Sequence, residues 1–315
     1  MNQSVDKKKT TIGGQALIEG IMMKGVDKIA TAIRHSDGTI EIREKRYVPA
    51  KQKVKILGWP VIRGVAGMAE ALKAGYSELM YSSTAAQEDD ADYEPSGKFE
   101  VWLDKKLESK TAEKVMMGIT VAIGVLIPVV LFFILPALLS GFLTPLLPRL
   151  IVNLIEGAAR MVIFLLFLFG ISRFKDMKRV FAYHGAEHKS IACYEAGEAL
   201  IVGNVRKYSR RHPRCGTSFL FVVMIISILI FSFITVTNPV LRIVLRLLLI
   251  PVVMGVSYEF NRLAGRYDNW LTRALRAPGL WVQGFTTFEP DDGMMETAIE
   301  ALKRVIPEDG EADKW

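Results

Sequence analysis

Cysteine and histidine are scarce in this chain, with two of the first and four of the second among 315 residues. Two cysteines, Cys193 and Cys215, exclude a disulfide scaffold, and in a reducing compartment they exclude a structural bridge. Charge is missing over two long runs, Val115–Pro148 (34 residues) and Gly216–Leu241 (26 residues). Such runs point to membrane-spanning helices, against the alternative of buried helices in a large soluble core. No internal repeat, G-x-G-x-x-G or Walker motif occurs, so nothing points to nucleotide chemistry. The opening "MNQSVDKKKT" has no apolar run behind it and does not read as a secretory signal.

What is present is apolar sequence in helix-length pieces. A helix needs about 20 apolar residues to cross a bilayer, so four transmembrane helices are expected near 117–141, 150–171, 217–237 and 240–258. The second holds Glu156 and Arg160, four apart and able to pair, and the fourth holds Arg246. Between the second and third lies 172–216, with ten basic and four acidic residues. Lys and Arg in short loops mark the cytoplasmic side. The expectation is a multi-pass membrane protein with this loop and both termini in the cytoplasm. The pI of about 9.3 then reflects orientation and anionic lipid. The lipid bilayer is the expected partner, and no specific nucleic-acid binding is implied.

The fold class expected is mainly α, with a small α+β domain at the N-terminus. Residues 1–86 carry it: "KIATAIRHSDGTIEIREKRY" alternates around an Asp-Gly turn, a hairpin signature. "GGQALIEGIMMKG" before it reads as a strand and turn. Its "GGQ" matches the tripeptide of peptide-release factors, but at the start of a strand-like segment it reads as turn glycines. "PVIRGVAGMAEALKAGYSELMYSS" has helical spacing, and Gly64, Gly67 and Gly75 in it imply close packing. Residues 87–97 form an acidic linker. The membrane domain spans 98–290, entered by an amphipathic segment with Trp102 at an interfacial position, and 291–315 form a C-terminal cytoplasmic helix and tail. "APGLWVQGFTTFEP" is apolar but too short to span.

"YHGAEHKS" places His184 and His188 four apart on one helix, with Glu187 at the border of their shared face. Two imidazoles on one face are half a zinc site, and H-x-x-E-H is the inverted zincin order, in which the Glu is general base toward a water. The helix is expected to run over 179–197 and to end at Gly197. "RRHPRCGTSF" then supplies His212 and Cys215 on a Pro-Gly turn, so three histidines and one cysteine fall within 32 residues. Nitrogen and sulfur donors suit zinc. Glu259, at the cytoplasmic end of the fourth helix, is a further candidate ligand, and Glu195 a candidate acceptor behind the ligands. Three readings stay open here: incidental placement, a closed structural zinc site (His184, His188, His212, Cys215), and a metal site with a free position.

These segments, together with "GWPVIRGVAGMAEALKAGYSEL" and "LRAPGLWVQGFTTFEP", resemble the bacterial membrane family called domain of unknown function 1385. The resemblance covers nearly the whole chain. It implies a metal-dependent enzyme without a defined substrate, with the H-x-x-x-H and H-P-R-C-G-T segments carried by His184, His188, His212 and Cys215. Family genes often lie near translation genes, which implies a translation or membrane-biogenesis partner.

Two functions are therefore expected in competition. One is a zinc-dependent membrane hydrolase, with Glu187 as base and His184 and His188 as ligands completed by His212, Cys215 or Glu259. The other is a non-enzymatic biogenesis or scaffold factor with a structural zinc.

Overall fold

The structure is a computed structural model, and it describes residues 9–89, 110–143, 145–236, 238–267, 269–308 and 312–314. Most of the acidic linker 87–97 and the amphipathic entry with Trp102 lie outside them. The chain divides into two compact units: Met1–Asp89 with Phe167–Ser227 and Leu249–Trp315, and Asp90–Leu166 with Ile228–Leu248.

The first unit contains the sheet. β1 (Gly13–Leu17), β2 (Gly20–Lys24), β3 (Lys28–Arg34) and β4 (Ile40–Arg46) form an antiparallel meander in the order β1-β2-β3-β4. The expected hairpin is β3–β4, turning at Asp37-Gly38, where Gly38 has φ 88°. β2 and β3 are apolar almost throughout because both of their faces are covered. Ile21, Met23, Ala30 and Ala32 face a core shared with α6 (Lys175–Glu195) and α11 (Asp292–Val305). Leu17, Met22 and Ile29 face Ala74 of α2 (Ile62–Asp89). On that second face Thr31 Oγ1 donates to Glu78 Oε2 at 3.0 Å. β4 is the edge, and its charged residues leave its outer side polar. The N-terminal segment therefore completes its core with helices from much later in the chain.

Between β4 and α2 come α1 (Ala50–Lys53) and a 3-10 turn (Lys55–Gly58). Close packing holds at two of the three α2 glycines. A Cβ on Gly64 would lie 2.6 Å from Tyr258 Cβ, and one on Gly75 would strike the Gln15 side chain at 2.0 Å. A Cβ on Gly67 meets nothing within 4 Å.

Among the described residues, three helices are long and apolar enough to cross a membrane: Ala122–Gly141, Arg149–Ile171 and Val240–Arg266. The first is built from α3 (Lys110–Val129), a π turn (Val130–Ile134) and α4 (Leu135–Gly141). The π turn lies between Pro128 and Pro136, neither of which can donate a backbone hydrogen bond. Phe132 O, whose α-helical donor would be the N–H that Pro136 lacks, accepts instead from Arg160 Nε at 2.6 Å. The other two are α5 (Arg149–Ile171) and α9 (Pro239–Arg266).

The helix expected near 217–237 is shorter than that. That helix, α8, is Gly216–Ser232, 17 residues long. It stops early because Asn153 Nδ2 takes the carbonyls of Ser232 and Ile234 at 3.1 and 3.0 Å, satisfying acceptors that a further turn would otherwise use. Pro239 then opens α9.

In the second unit Glu156 is fully buried and receives Arg160 Nη2 at 3.2 Å and Arg246 Nη1, with Arg242 Nη2 at 4.0 Å. One carboxylate thus serves three guanidinium groups, and Nε atoms of Arg242 and Arg246 have no partner among the described residues.

Candidate metal centre

α6 carries the opening motif as expected, though it spans Lys175–Glu195, with Gly197 just beyond it at φ 72°. Helical spacing stacks His184 and His188, whose ring centroids are 4.4 Å apart. Gly185 between them is where the chain around Phe288 approaches, since a Cβ there would lie 2.1 Å from Phe288 O. Phe288 N–H donates to Phe181 O at 2.8 Å, and this strap presents Thr286 O to His184 Nδ1 at 2.8 Å. His188 Nδ1 meets Arg210 O at 2.6 Å. Each carbonyl fixes Nδ1 as the protonated nitrogen and frees Nε2 as a lone-pair donor, the arrangement usual behind metal-binding histidines.

Cys215 completes a trio. Its Sγ is 3.2 Å from His184 Nε2, and one ligating atom each of His184, His188 and Cys215 lies within 4.8 Å of the others. Cys215 sits just before α8, and Thr217 N–H points to its sulfur at 3.3 Å. Burial holds the His188 imidazole below its usual pKa, against the pull of Cys215, so it stays in the neutral, ligating form. A tetrahedral ion with bonds of about 2.0–2.3 Å needs donors at this order of separation. The donor set, its spacing and the tied Nδ1 atoms all fit zinc.

Glu187 borders the trio. Its Oε1 accepts from Gly14 N–H at 2.9 Å, and its Oε2 is buried with no partner among the described residues. Desolvation raises its pKa, opposed by His184 and by the Gly14 N–H. The "GGQ" glycines are not turn residues: they lie in β1, and Gly14 touches Glu187 because it has no side chain.

His212 is brought near but turned away. Its ring centroid is 5.7 Å from that of His188, while its Nε2 meets Glu195 Oε2 at 3.2 Å. Glu195 also takes Arg214 and the Thr10 N–H, the latter at 2.8 Å. Burial would raise the Glu195 pKa, but His212, Arg214 and Thr10 together hold it below the usual carboxylate range. Glu195 thus bonds His212 and not a member of the trio. Sequence reasoning missed Gln283 on α10 (Trp270–Thr286). Its fully buried amide accepts from His212 N–H at 2.9 Å and donates to His212 O and Ser218 Oγ at 2.8 Å each. A glutamine beside Val282 on the apolar face of a helix was the available signal.

Glu259 is not brought to the trio. Its carboxylate binds Arg63 in a fork, with Nε to Oε1 at 2.6 Å, and accepts from Val61 N–H at 3.2 Å. Val61 has φ 68°, an unfavourable conformation for a β-branched residue, and Glu259 braces that turn. Lying on the same side of a membrane does not make two residues neighbours.

The segments that carry His184, His188 and Cys215 fall inside the match to a known family. The family described as "Protein of unknown function (DUF1385)" matches residues 59–308. The chain belongs to this family. It is 32% identical over 302 residues to the Bacillus subtilis (strain 168) protein named "Uncharacterized protein YqhQ", covering 93% of this chain and 92% of that one. No solved structure matches significantly.

Proposed function

We propose that this DUF1385 member is a multi-pass membrane hydrolase that depends on a divalent metal, zinc being the best fit. The observation that carries the reading is the trio of ligating atoms within 4.8 Å, bordered by a buried carboxylate with one unpartnered oxygen. Three protein ligands with a free position are the pattern of catalytic zinc, whereas structural sites use four. His184, His188 and Cys215 would hold the ion. When bound it supplies Lewis acidity and brings the pKa of a water to about 7. Gly14 holds one oxygen of Glu187, which leaves the other to accept a proton from an attacking water and return it to the leaving group. Glu195 and Gln283 hold His212 away, which keeps the fourth position free.

Three long apolar helices support membrane residence, and α8 is at the short end of the spanning range, so four crossings remain our reading. The basic residues of 172–216 support a cytoplasmic site, reached by a membrane-associated peptide, lipid or prenyl compound.

A second reading is a non-enzymatic membrane-biogenesis factor in which the metal pins the 209–217 turn to α6. The deep burial of His188, Glu187 and Cys215 favours it. Glu187→Gln separates the two. Loss of the cellular role with metal content and melting temperature retained supports the hydrolase. Full complementation by Glu187→Gln, with His188→Ala failing, supports the structural reading.

A further inference from the structure

Gly67 lies inside α2, where glycine costs helix stability relative to alanine, yet nothing packs close enough to require it. It faces a cavity of about 840 Å³ wholly within the first unit. Lys24, Lys51, Arg63, Arg262, Arg266 and Lys314 line this cavity, against Glu70 as its one lining carboxylate among the described residues. Glu70 is engaged by Tyr47 OH and Ala50 N–H, and Lys24 Nζ lies 3.9 Å from the centre of the Tyr47 ring. Arg63 is forked by Glu259, so the positive excess of the walls rests chiefly on Lys24, Lys51, Arg262 and Arg266. A volume of this size is that of a small-molecule site rather than a groove for a duplex.

Two features say where the anion comes from. Arg262 and Arg266 stand in the last two turns of α9, a helix long and apolar enough to cross a membrane. Basic residues at such a position meet the anionic surface of the cytoplasmic leaflet. At the other wall Leu57 and Gly58 line the cavity, and the same short segment exposes Val54, Ile56 and Trp59, at 51%, 50% and 58%. Basic lining residues with exposed apolar residues in the adjoining segment suit a phosphate attached to a hydrocarbon chain. Guanidinium groups match phosphate oxygens in a fork, which favours phosphate over a simple halide.

We propose that this cavity binds the phosphate group of an anionic lipid. It is a site separate from the His184–His188–Cys215 trio and does not rest on the metal reading. The open space at Gly67 keeps the cavity accessible, and Arg262 and Arg266, with Lys51, select the charge.

The test uses the full chain with two probes: inorganic phosphate in solution, and phosphatidylcholine vesicles with or without a minor fraction of phosphatidylglycerol. Gly67→Trp has room to fold and fills the cavity without changing charge. Arg262→Ala with Arg266→Ala removes charge without filling it. Lys303→Ala with Arg304→Ala removes the same charge from exposed positions on α11 outside the cavity lining. Saturable, phosphatidylglycerol-dependent binding is expected, weakened about tenfold or more by either cavity variant and left within about twofold by the α11 pair. Competition by inorganic phosphate identifies the phosphate as the group held. Binding of inorganic phosphate with no dependence on phosphatidylglycerol overturns the lipid assignment in favour of a soluble phosphate compound. No saturable binding of either probe, or binding by both cavity variants equal to the parent's, overturns the site.

Discussion

The backbone N–H of Gly14 is hydrogen-bonded to Glu187 Oε1 at 2.9 Å, although 173 positions separate the two residues. A Cβ on Gly14 would lie 2.7 Å from Met22 O and 3.0 Å from Glu187 Cδ. Gly14→Ala must therefore move β2 or displace the carboxylate. We expect a loss of about 1–3 kcal/mol, as for other overpacked sites, read as a lower melting temperature. The cellular role should fall further than Glu187→Asp makes it fall. An alanine variant as stable and active as the parent would sink the contact.

Metal content tests the trio directly. The purified chain should carry about one zinc by elemental analysis, with tight chelation removing it. His184→Ala, His188→Ala and Cys215→Ser should each lose most of it. His212→Ala and Glu259→Gln should keep it, because these residues are engaged by Glu195 and by Arg63. Loss of the metal in His212→Ala would instead mark a closed four-ligand site.

Glu195 holds His212, Arg214 and Thr10 together at 12% side-chain exposure. Removing its charge weakens the ion pair with Arg214 and the bonds from His212 and Thr10, so Glu195→Gln should cost about 1–3 kcal/mol. Glu195 has a depressed pKa in the folded chain, so its contribution is present above the ordinary carboxylate pKa and is lost as pH falls through the folded value. Acid melting curves of the parent and of Glu195→Gln should converge at low pH. Curves that stay parallel throughout would show that Glu195 is not the group responsible.

Among the described residues Glu156 is the single carboxylate paired with Arg160, Arg242 and Arg246. Glu156→Gln should destabilise the second unit by about 3–5 kcal/mol. Arg242→Met should cost much less, since Arg242 Nε and Nη1 are buried without partners. Detergent melting of the two variants checks the order, and a reversed order would show that Arg242 carries the cluster.

Local spacing explains why part of this was legible in advance. His184 and His188 share a face because the helical period puts residues four apart in register, and Asp37-Gly38 turns a hairpin because glycine accepts φ 88°. The length of α8 was not legible, because its last turn ends on Asn153 of another helix. The role of Gly14 left no mark either, since a backbone N–H has no residue-specific signature.

By itself the sequence determined the helical, apolar class of the chain, the paired imidazoles and the pool of candidate ligands, since each follows from composition or from contacts within a few residues. Only the tertiary structure decided which candidates meet. Cys215 reaches His184 because the strap at Thr286–Phe288 crosses Gly185, His212 turns to Glu195 because Gln283 holds its backbone, and Glu259 goes to Arg63 to brace Val61. Each of those outcomes is set by hydrogen bonds between segments tens to hundreds of residues apart, and no periodicity in the chain encodes them.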